Sequence, residues 1–342
     1  MTSSSPLAPR LRPRLLLAVG IATSLVLTAC GGGDSEEDAA GGGSGGETAA
    51  EERDENLTFA TGGTGGVYYP YGGGIANVIS AELPGVVVTV QETNASVDNM
   101  KLLESDQAQL ALALGDVVSD AVNGENTFEA PIDVCSLGNL YNNYVHFFTT
   151  ADTGIKTIED LKGKRVSPGA VGSASEVTAD RIMQAAGLDP QADIERSQLG
   201  VAETVAAIQD GTVDVGAWSG GLPTGAIVDL ASSAELVLIP TGEYAADLAE
   251  EYGDYYFEGE IPADTYEGQD EASPQVVSPN ILVVRSDMDE SLQEDMTRVI
   301  FENKEQLITV HPAAEELDPE TAGEVSFIET CPGAQAFFDT AG

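Results

Sequence analysis

Hydrophobic and polar positions alternate between two rhythms along this chain. Apolar or alternating runs at residues 57–60, 86–90 and 109–114 have the length of strands. Each is followed, after a few polar or glycine residues, by apolar positions three and four apart. Tyr71, Ile75, Val78 and Ile79 form the first such helical stripe, which Pro84-Gly85 stops. Residues 97–103 form the second, with Asn94 or Ser96 placed to cap it, and Gly115-Asp116 opens a third that runs to residue 122. The alternation continues with strands at 144–150, 164–167, 213–217 and 236–239. Between them lie a short capped helix at 157–161 and helices at 176–186, 201–209 and 224–231. Strands alternating with helices predict mainly parallel sheets with helices on both faces, with a ligand at the carboxyl ends of the strands.

Residues 252–279 carry Tyr, Gly, Pro and acidic residues without a period and read as an irregular return connection. A strand at 280–285 is expected to run beside 144–150 as a two-strand hinge. Leu292, Met296, Val299, Ile300 and Leu307 mark helical chain at 290–309 that packs on the first lobe. The predicted fold is therefore α/β in two lobes. The first lobe takes 57–143 and 280–342, and the second takes 144–279 with the return connection.

The N-terminus follows neither rhythm. Arg10, Arg12 and Arg14 precede an apolar run at 15–27, too short and too asymmetrically flanked for a membrane span, and read as a secretory signal over residues 1–29. It ends Leu27-Thr28-Ala29-Cys30, which resembles a bacterial lipobox, so Cys30 is the expected lipidation site. Residues 30–56, rich in Gly, Ser, Ala, Asp and Glu, read as a disordered tether between membrane and domain. Within it, Gly42-Gly43-Ser44-Gly45-Gly46 matches a nucleophile-elbow pattern without the flanking strand and helix, and carries no chemistry.

The richest chemistry lies where strands give way to helices. Thr61-Gly62-Gly63-Thr64-Gly65-Gly66-Val67-Tyr68-Tyr69-Pro70 joins the first strand to the first helix. Its glycines permit positive φ and close backbone approach, and the unpaired amides of a first helical turn attract anions. It fails the dinucleotide spacing, because Tyr68 stands where the last glycine belongs, and it lacks the lysine of a P-loop. Pro168-Gly169-Ala170-Val171-Gly172-Ser173-Ala174-Ser175 repeats the device in the second lobe, and Trp218-Ser219-Gly220-Gly221-Leu222-Pro223 is a third candidate loop. Two glycine-rich loops, one per lobe, can face each other across a cleft. None of the three holds Lys or Arg, so a ligand carboxylate is expected to bind amides and hydroxyls rather than an arginine fork.

Charge and cysteines narrow the class. A formal net charge of −43 makes nucleic acid and anionic lipid surfaces poor partners. Once Cys30 is set aside, Cys135 and Cys331 remain, either as a disulfide formed outside the cytoplasm or as two separate buried thiols. The only histidines, His146 and His311, fall in a hinge strand and before a proline, where packing accounts for them. No cofactor, metal site or enzyme activity is expected.

Gly62–Pro70, the segment containing Gly154-Ile155-Lys156-Thr157-Ile158-Glu159-Asp160-Leu161-Lys162-Gly163-Lys164-Arg165, residues 261–270 and His311-Pro312-Ala313-Ala314 together resemble the TAXI family. These are solute receptors of tripartite ATP-independent periplasmic (TRAP) transporters, and the similarity covers residues 57–342. The resemblance implies a monomeric, type II periplasmic-binding-protein-like lipoprotein, anchored outside the cytoplasm. It would close on a small organic anion, of the glutamate, glutamine or 2-oxo dicarboxylate class, and deliver it to TRAP membrane subunits. The alternative is the same role for an ABC-type importer. The ligand-binding set this implies is Thr61, Gly63, Thr64, Gly65, Tyr68, Tyr69, Asn94, Ser96, Asp116, Ser173, Ala174, Ser175, Trp218, Gly220 and Gly221. One departure stands out: Leu114-Gly115-Asp116 replaces the family's usual Gln-Ser-Asp, removing a hydroxyl.

Overall fold

A computed structural model describes residues 53–341. The signal segment 1–29, the lipidation site Cys30 and the tether as far as residue 52 lie outside the described residues. The folded chain starts earlier than residue 57, because β1 (Glu55–Ala60) begins with the Glu55 amide donating to Gly85 O, and Arg53 pairs with Asp295 at 2.7 Å.

Three strand-to-helix units follow: β1 with α1 (Tyr68–Glu82), β2 (Val86–Gln91) with α2 (Ser96–Glu104), and β3 (Leu110–Leu114) with α3 (Gly115–Asn123). β1 lies parallel between β2 and β3. All five residues of β3 are buried, as expected of a central strand covered on both faces.

The chain then enters β4 (Val134–Thr150), whose 17 residues belong to both lobes. Its second half pairs antiparallel with β7 and β8, and its first half pairs with β10 (Ser273–Arg285). Before β10 come β5 (Arg165–Ser167), α4 (Ala174–Ala185), β6 (Glu195–Arg196), α5 (Val201–Gln209), β7 (Val215–Gly220), α6 (Gly225–Ser233), β8 (Leu236–Ile239), α7 (Ala245–Glu251) and β9 (Phe257–Ile261). The main path of the sheet is β2-β1-β3-β10-β4-β7-β5-β6, with β8 also on β4 and β9 also on β10. Two long antiparallel strands thus cross from one lobe to the other, and β10 shifts register at Asn280/Ile281 and Leu282/Val283 where it crosses.

The partner predicted for residues 280–285 is corrected here. They run beside Val134–Tyr141, not beside 144–150, with Arg285 opposite Val134 and Asn280 opposite Tyr141. β4 starts ten residues before the predicted strand. Its opening half is buried on both faces, so it lacks the alternation that identifies a half-exposed strand. The return connection is likewise not irregular: it contains β9 and the first half of β10. Pro274 and Pro279 within β10 hide that strand from a pattern reading.

Each lobe has an apolar core on both faces of its sheet. In the first lobe, Tyr71, Ile75 and Ile79 of α1 pack with Met296 and Ile300 of α8 (Glu290–Glu302). Asn303 breaks the predicted run 290–309: it separates α8 from α9 (Lys304–Val310), its side chain donating to Val299 O. α10 (Pro332–Ala341) follows a disulfide between Cys331 and Cys135 that holds the chain end against β4. Cys331 N also donates to Ser136 O beside that bond.

His146 sits in β4 with both ring nitrogens occupied, Nδ1 at 2.9 Å from Tyr144 O and Nε2 at 2.9 Å from the Tyr266 hydroxyl. Burial pushes it down to about 4. A depressed histidine makes the unfolded chain the stronger proton acceptor below its ordinary value of ~6.5. Its contribution is therefore complete above about pH 6.5 and falls by up to ~3 kcal/mol as pH drops toward 4. Urea midpoints measured between pH 7 and 4 on wild type and His146→Gln are expected to converge as the pH falls.

Candidate functional site

The three helix starts of the first lobe and the start of α4 converge on the crossing of β4 and β10. Here a small inner cavity is lined by Gly62, Gly63, Gly66, Tyr68, Ala95 and Ser96 from the first lobe, and by Ser173, Ala174, Ser175, Trp218 and Ser219 from the second. Asn143 of β4 forms its floor. It encloses about 20 Å³, room for about one water molecule. It adjoins a wider groove of about 1050 Å³ that shares Gly63, Ala95, Ser173 and Trp218 and adds Thr64, Gly65, Asn94, Asp98 and Lys101. The lobes are closed on one another: the amide of Ala226 on α6 reaches Gly65 O, and Gly172 O accepts from the amides of Val97 and Asp98.

The glycines of the first loop act through close approach. None of Gly62, Gly63, Gly65 and Gly66 has positive φ. A Cβ on Gly66 would lie 2.6 and 2.8 Å from the Trp218 ring, and one on Gly65 would lie 2.9 Å from the Ala202 side chain. In α1, Gly72 leaves room for Thr61 and Gly74 for Val310 and Leu307, which accounts for two of its poor helix formers.

The inner cavity is polar but uncharged, with no Lys or Arg among its lining residues. Ser96 Oγ accepts from Leu114 N at 3.1 Å and meets the Tyr68 hydroxyl at 3.3 Å. Burial raises the Tyr68 phenol well above the ordinary tyrosine value, so it stays neutral and can donate. Ser173 Oγ caps Glu176 N at 3.2 Å, and Ser175 Oγ accepts from Ser219 N at 2.9 Å. The amides of Ala174 and Ser175 find no acceptor among the described residues, although both residues are buried. Ser219 Oγ is also buried and unpaired, with the residue 6% exposed. Buried polar groups without partners are uncommon, and here they line a concavity between two lobes.

Of the predicted residues, Gly63, Tyr68, Ser96, Ser173, Ala174, Ser175 and Trp218 line the inner cavity, while Thr64, Gly65 and Asn94 line the outer groove. Five lie elsewhere. Thr61 is a brace: its hydroxyl donates to Gln91 O, and its carbonyl accepts from Asn99 and Thr93. Tyr69 points outward and is 37% exposed. The Asp116 carboxylate turns away from the cavity to accept from Tyr256 and Thr178. Gly220 makes room for the Trp218 indole, and Gly221 for the Tyr141 ring. The first half of the expected third loop, residues 218–220, is in fact the end of β7.

The cap of α2 also differs from expectation. Neither Asn94 nor Ser96 caps it: Ala95 occupies that position at φ 75°, and the acceptor comes from Gly172 of the other lobe. Gly62, Gly66 and Ser219 are cavity residues that lie in the candidate loops but outside the expected ligand set, while Ala95 and Asn143 lie outside those loops altogether. Asn142-Asn143, two amides inside an otherwise apolar run, was the available signal for one of them.

A hinged pair of α/β lobes closing on a buried polar cavity defines the fold class of type II periplasmic binding proteins. The chain belongs to the NMT1-like family, whose model matches residues 59–342. Among solved structures, PhnD1 from Prochlorococcus marinus (MIT 9301) in complex with methylphosphonate shares the fold. The match is at 10% identity over 77% of this chain and 90% of that one, with a TM-score of 0.51. Two others are also similar. One is the periplasmic aliphatic sulphonate binding protein SsuA from Escherichia coli, at 16% identity over 84% of each chain and a TM-score of 0.44. The other is the substrate binding protein of an amino acid ABC transporter, at 16% identity over 75% of this chain and 97% of that one and a TM-score of 0.43.

Proposed function

We propose that this protein is an extracytoplasmic solute receptor that closes its two lobes on a small organic anion and delivers it to a membrane importer. The observation that carries the reading is the inner cavity. Residues of both lobes line it, and the free amides of Ala174 and Ser175 at a helix start converge there with the unpaired Ser219 hydroxyl. Amides at a helix start bind a carboxylate without a cation, and the neutral Tyr68, Ser96 and Asn143 offer further hydrogen bonds in the inner cavity. The adjoining groove of about 1050 Å³ takes the rest of the ligand, because the inner cavity itself has room for only one small polar group. Lys101, in the outer groove, is the cation that an approaching anion meets first.

The division of lobes at 143/144 and 279/280, the lipid anchor at Cys30 and a ligand of the glutamate, glutamine or 2-oxo dicarboxylate class belong to the same proposal. For the importer, the ABC-type reading is better supported by the comparisons. The TRAP reading rests on the Gly62–Pro70 and His311–Ala314 motifs.

A thermal-shift panel of amino acids, dicarboxylates and oxoacids tests the reading. A true ligand at 100 times its Kd should stabilise the protein by ~2.7 kcal/mol, and Ser219→Ala should shrink the shift. Catalytic turnover of a stabilising compound would instead favour an enzyme, and a panel without any shift would exclude these ligand classes.

A further inference from the structure

Beside the cavity, but outside it, a second polar assembly joins the lobes. α3 of the first lobe presents Asp116 and Asp120, and α4 of the second presents Thr178 and Arg181. Arg181 holds Asp120 with one terminal nitrogen, Nη2, at 3.0 and 2.7 Å from the two carboxylate oxygens. Its other terminal nitrogen donates to the Tyr256 hydroxyl at 3.1 Å. Asp116 Oδ2 accepts from Tyr256 at 2.6 Å and from Thr178 at 2.7 Å, and lies 3.8 Å from Arg181. The Arg181 guanidinium stacks 4.3 Å from the centre of the Tyr252 ring. Asp116, Asp120 and Arg181 are each 5% exposed or less.

The division of chemistry is one-sided. Both carboxylates of the assembly are on the first lobe, and the guanidinium, the phenol and the threonine hydroxyl that reach them are on the second. Residues that served only to stabilise a lobe would pair within it. Separating the lobes returns two carboxylates and a guanidinium to water, where each is well solvated. Closing them requires that the fork, the phenol and the threonine hydroxyl all find their acceptors together. Buried ion pairs of this kind add little net stability but select one geometry, because a misaligned approach leaves a buried charge unpaired.

We infer that the Asp116–Asp120–Arg181–Tyr256 assembly is an interlobe latch that fixes the closed form of the hinge, independently of contacts made by a ligand. The inference rests on the two-lobed hinge and needs no ligand identity. It can therefore fail while the receptor reading stands, and the reverse.

The test is small-angle X-ray scattering on full-length mature protein, unfolded and refolded to strip any ligand. Wild type is expected to scatter as the closed form. Arg181→Met is expected to raise the radius of gyration by about 1 Å over the roughly 19 Å of a compact chain of this size. Asp120→Asn, which leaves the guanidinium a neutral acceptor at 120, Tyr256 and the Asp116 carboxylate at 3.8 Å, keeps the test decisive if Arg181→Met does not refold, and should raise it by less. A stripped wild type that is already open would overturn the latch. So would refolded variants that scatter like a closed wild type, since the assembly would then only brace the interface.

Discussion

Gly66→Val is expected to abolish tight ligand binding while leaving each lobe folded. Gly66 belongs to the first lobe, and its missing side chain is the space occupied by the Trp218 ring of the second. The indole cannot easily give way, because its Nε1 donates to Thr224 Oγ1 at 3.1 Å. A branched side chain at 66 therefore obstructs closure without entering either core. Affinity gained on closing is lost to the extent that the closed state is depopulated, and a bias of ~2.7 kcal/mol against it weakens binding about 100-fold. Titration calorimetry with the strongest ligand from the thermal-shift panel would measure this. The control is Gly73→Ala in the same segment. It faces open space inside α1, so it should raise stability by up to ~1 kcal/mol and leave affinity unchanged. Equal losses of affinity in both variants would mean that the loop is generally fragile and that the Trp218 contact is not the cause.

Reduction of the Cys135–Cys331 bond is expected to produce the largest loss of stability. The two cysteines are 196 positions apart, so the bond closes most of the folded chain into one loop. On the chain-entropy model such a loop is worth about 5 kcal/mol. The bond also seats the segment leading to α10 on β4, next to the backbone bond from Cys331 N to Ser136 O. Urea unfolding with and without reductant, compared with Cys135→Ser/Cys331→Ser, measures the effect. A change below ~1 kcal/mol would show that α8–α10 hold the chain end without it. A bond so widely spaced accords with an exported protein, since cytosolic thiols are kept reduced.

Much of the architecture was legible in the sequence wherever strands and helices alternate with one face wet. β1, α1, β2, α2, β3 and α3 all announce themselves by period, and so do the glycine-rich starts of α1 and α4. What escaped was chain buried on both sides or interrupted by proline: the first half of β4 and the first half of β10. Since the unrecognised first half of β4 is the partner of residues 280–285, the crossing was placed one segment too late.

The site divided along similar lines. That the two glycine-rich loops come together was legible because a helix start with hydroxyls has a recognisable spelling. Asn143 was missed because it is a single polar residue inside a strand, and only the folded arrangement shows that strand reaching a cavity; Ser219 fell inside a candidate loop but outside the expected ligand set. Asp116 was misplaced for the opposite reason. Its position at a helix start is typical of a binding residue, but Arg181 and Tyr256, far away in sequence, claim its carboxylate.

The Gly172 carbonyl that serves Val97 and Asp98 has a thermodynamic consequence. α2 contributes no side-chain cap of its own, so its first turn is completed only when the other lobe arrives. Fraying of that turn and swinging of the hinge are therefore linked equilibria: whatever loosens the beginning of the helix favours the parted molecule, and whatever firms it draws the halves together.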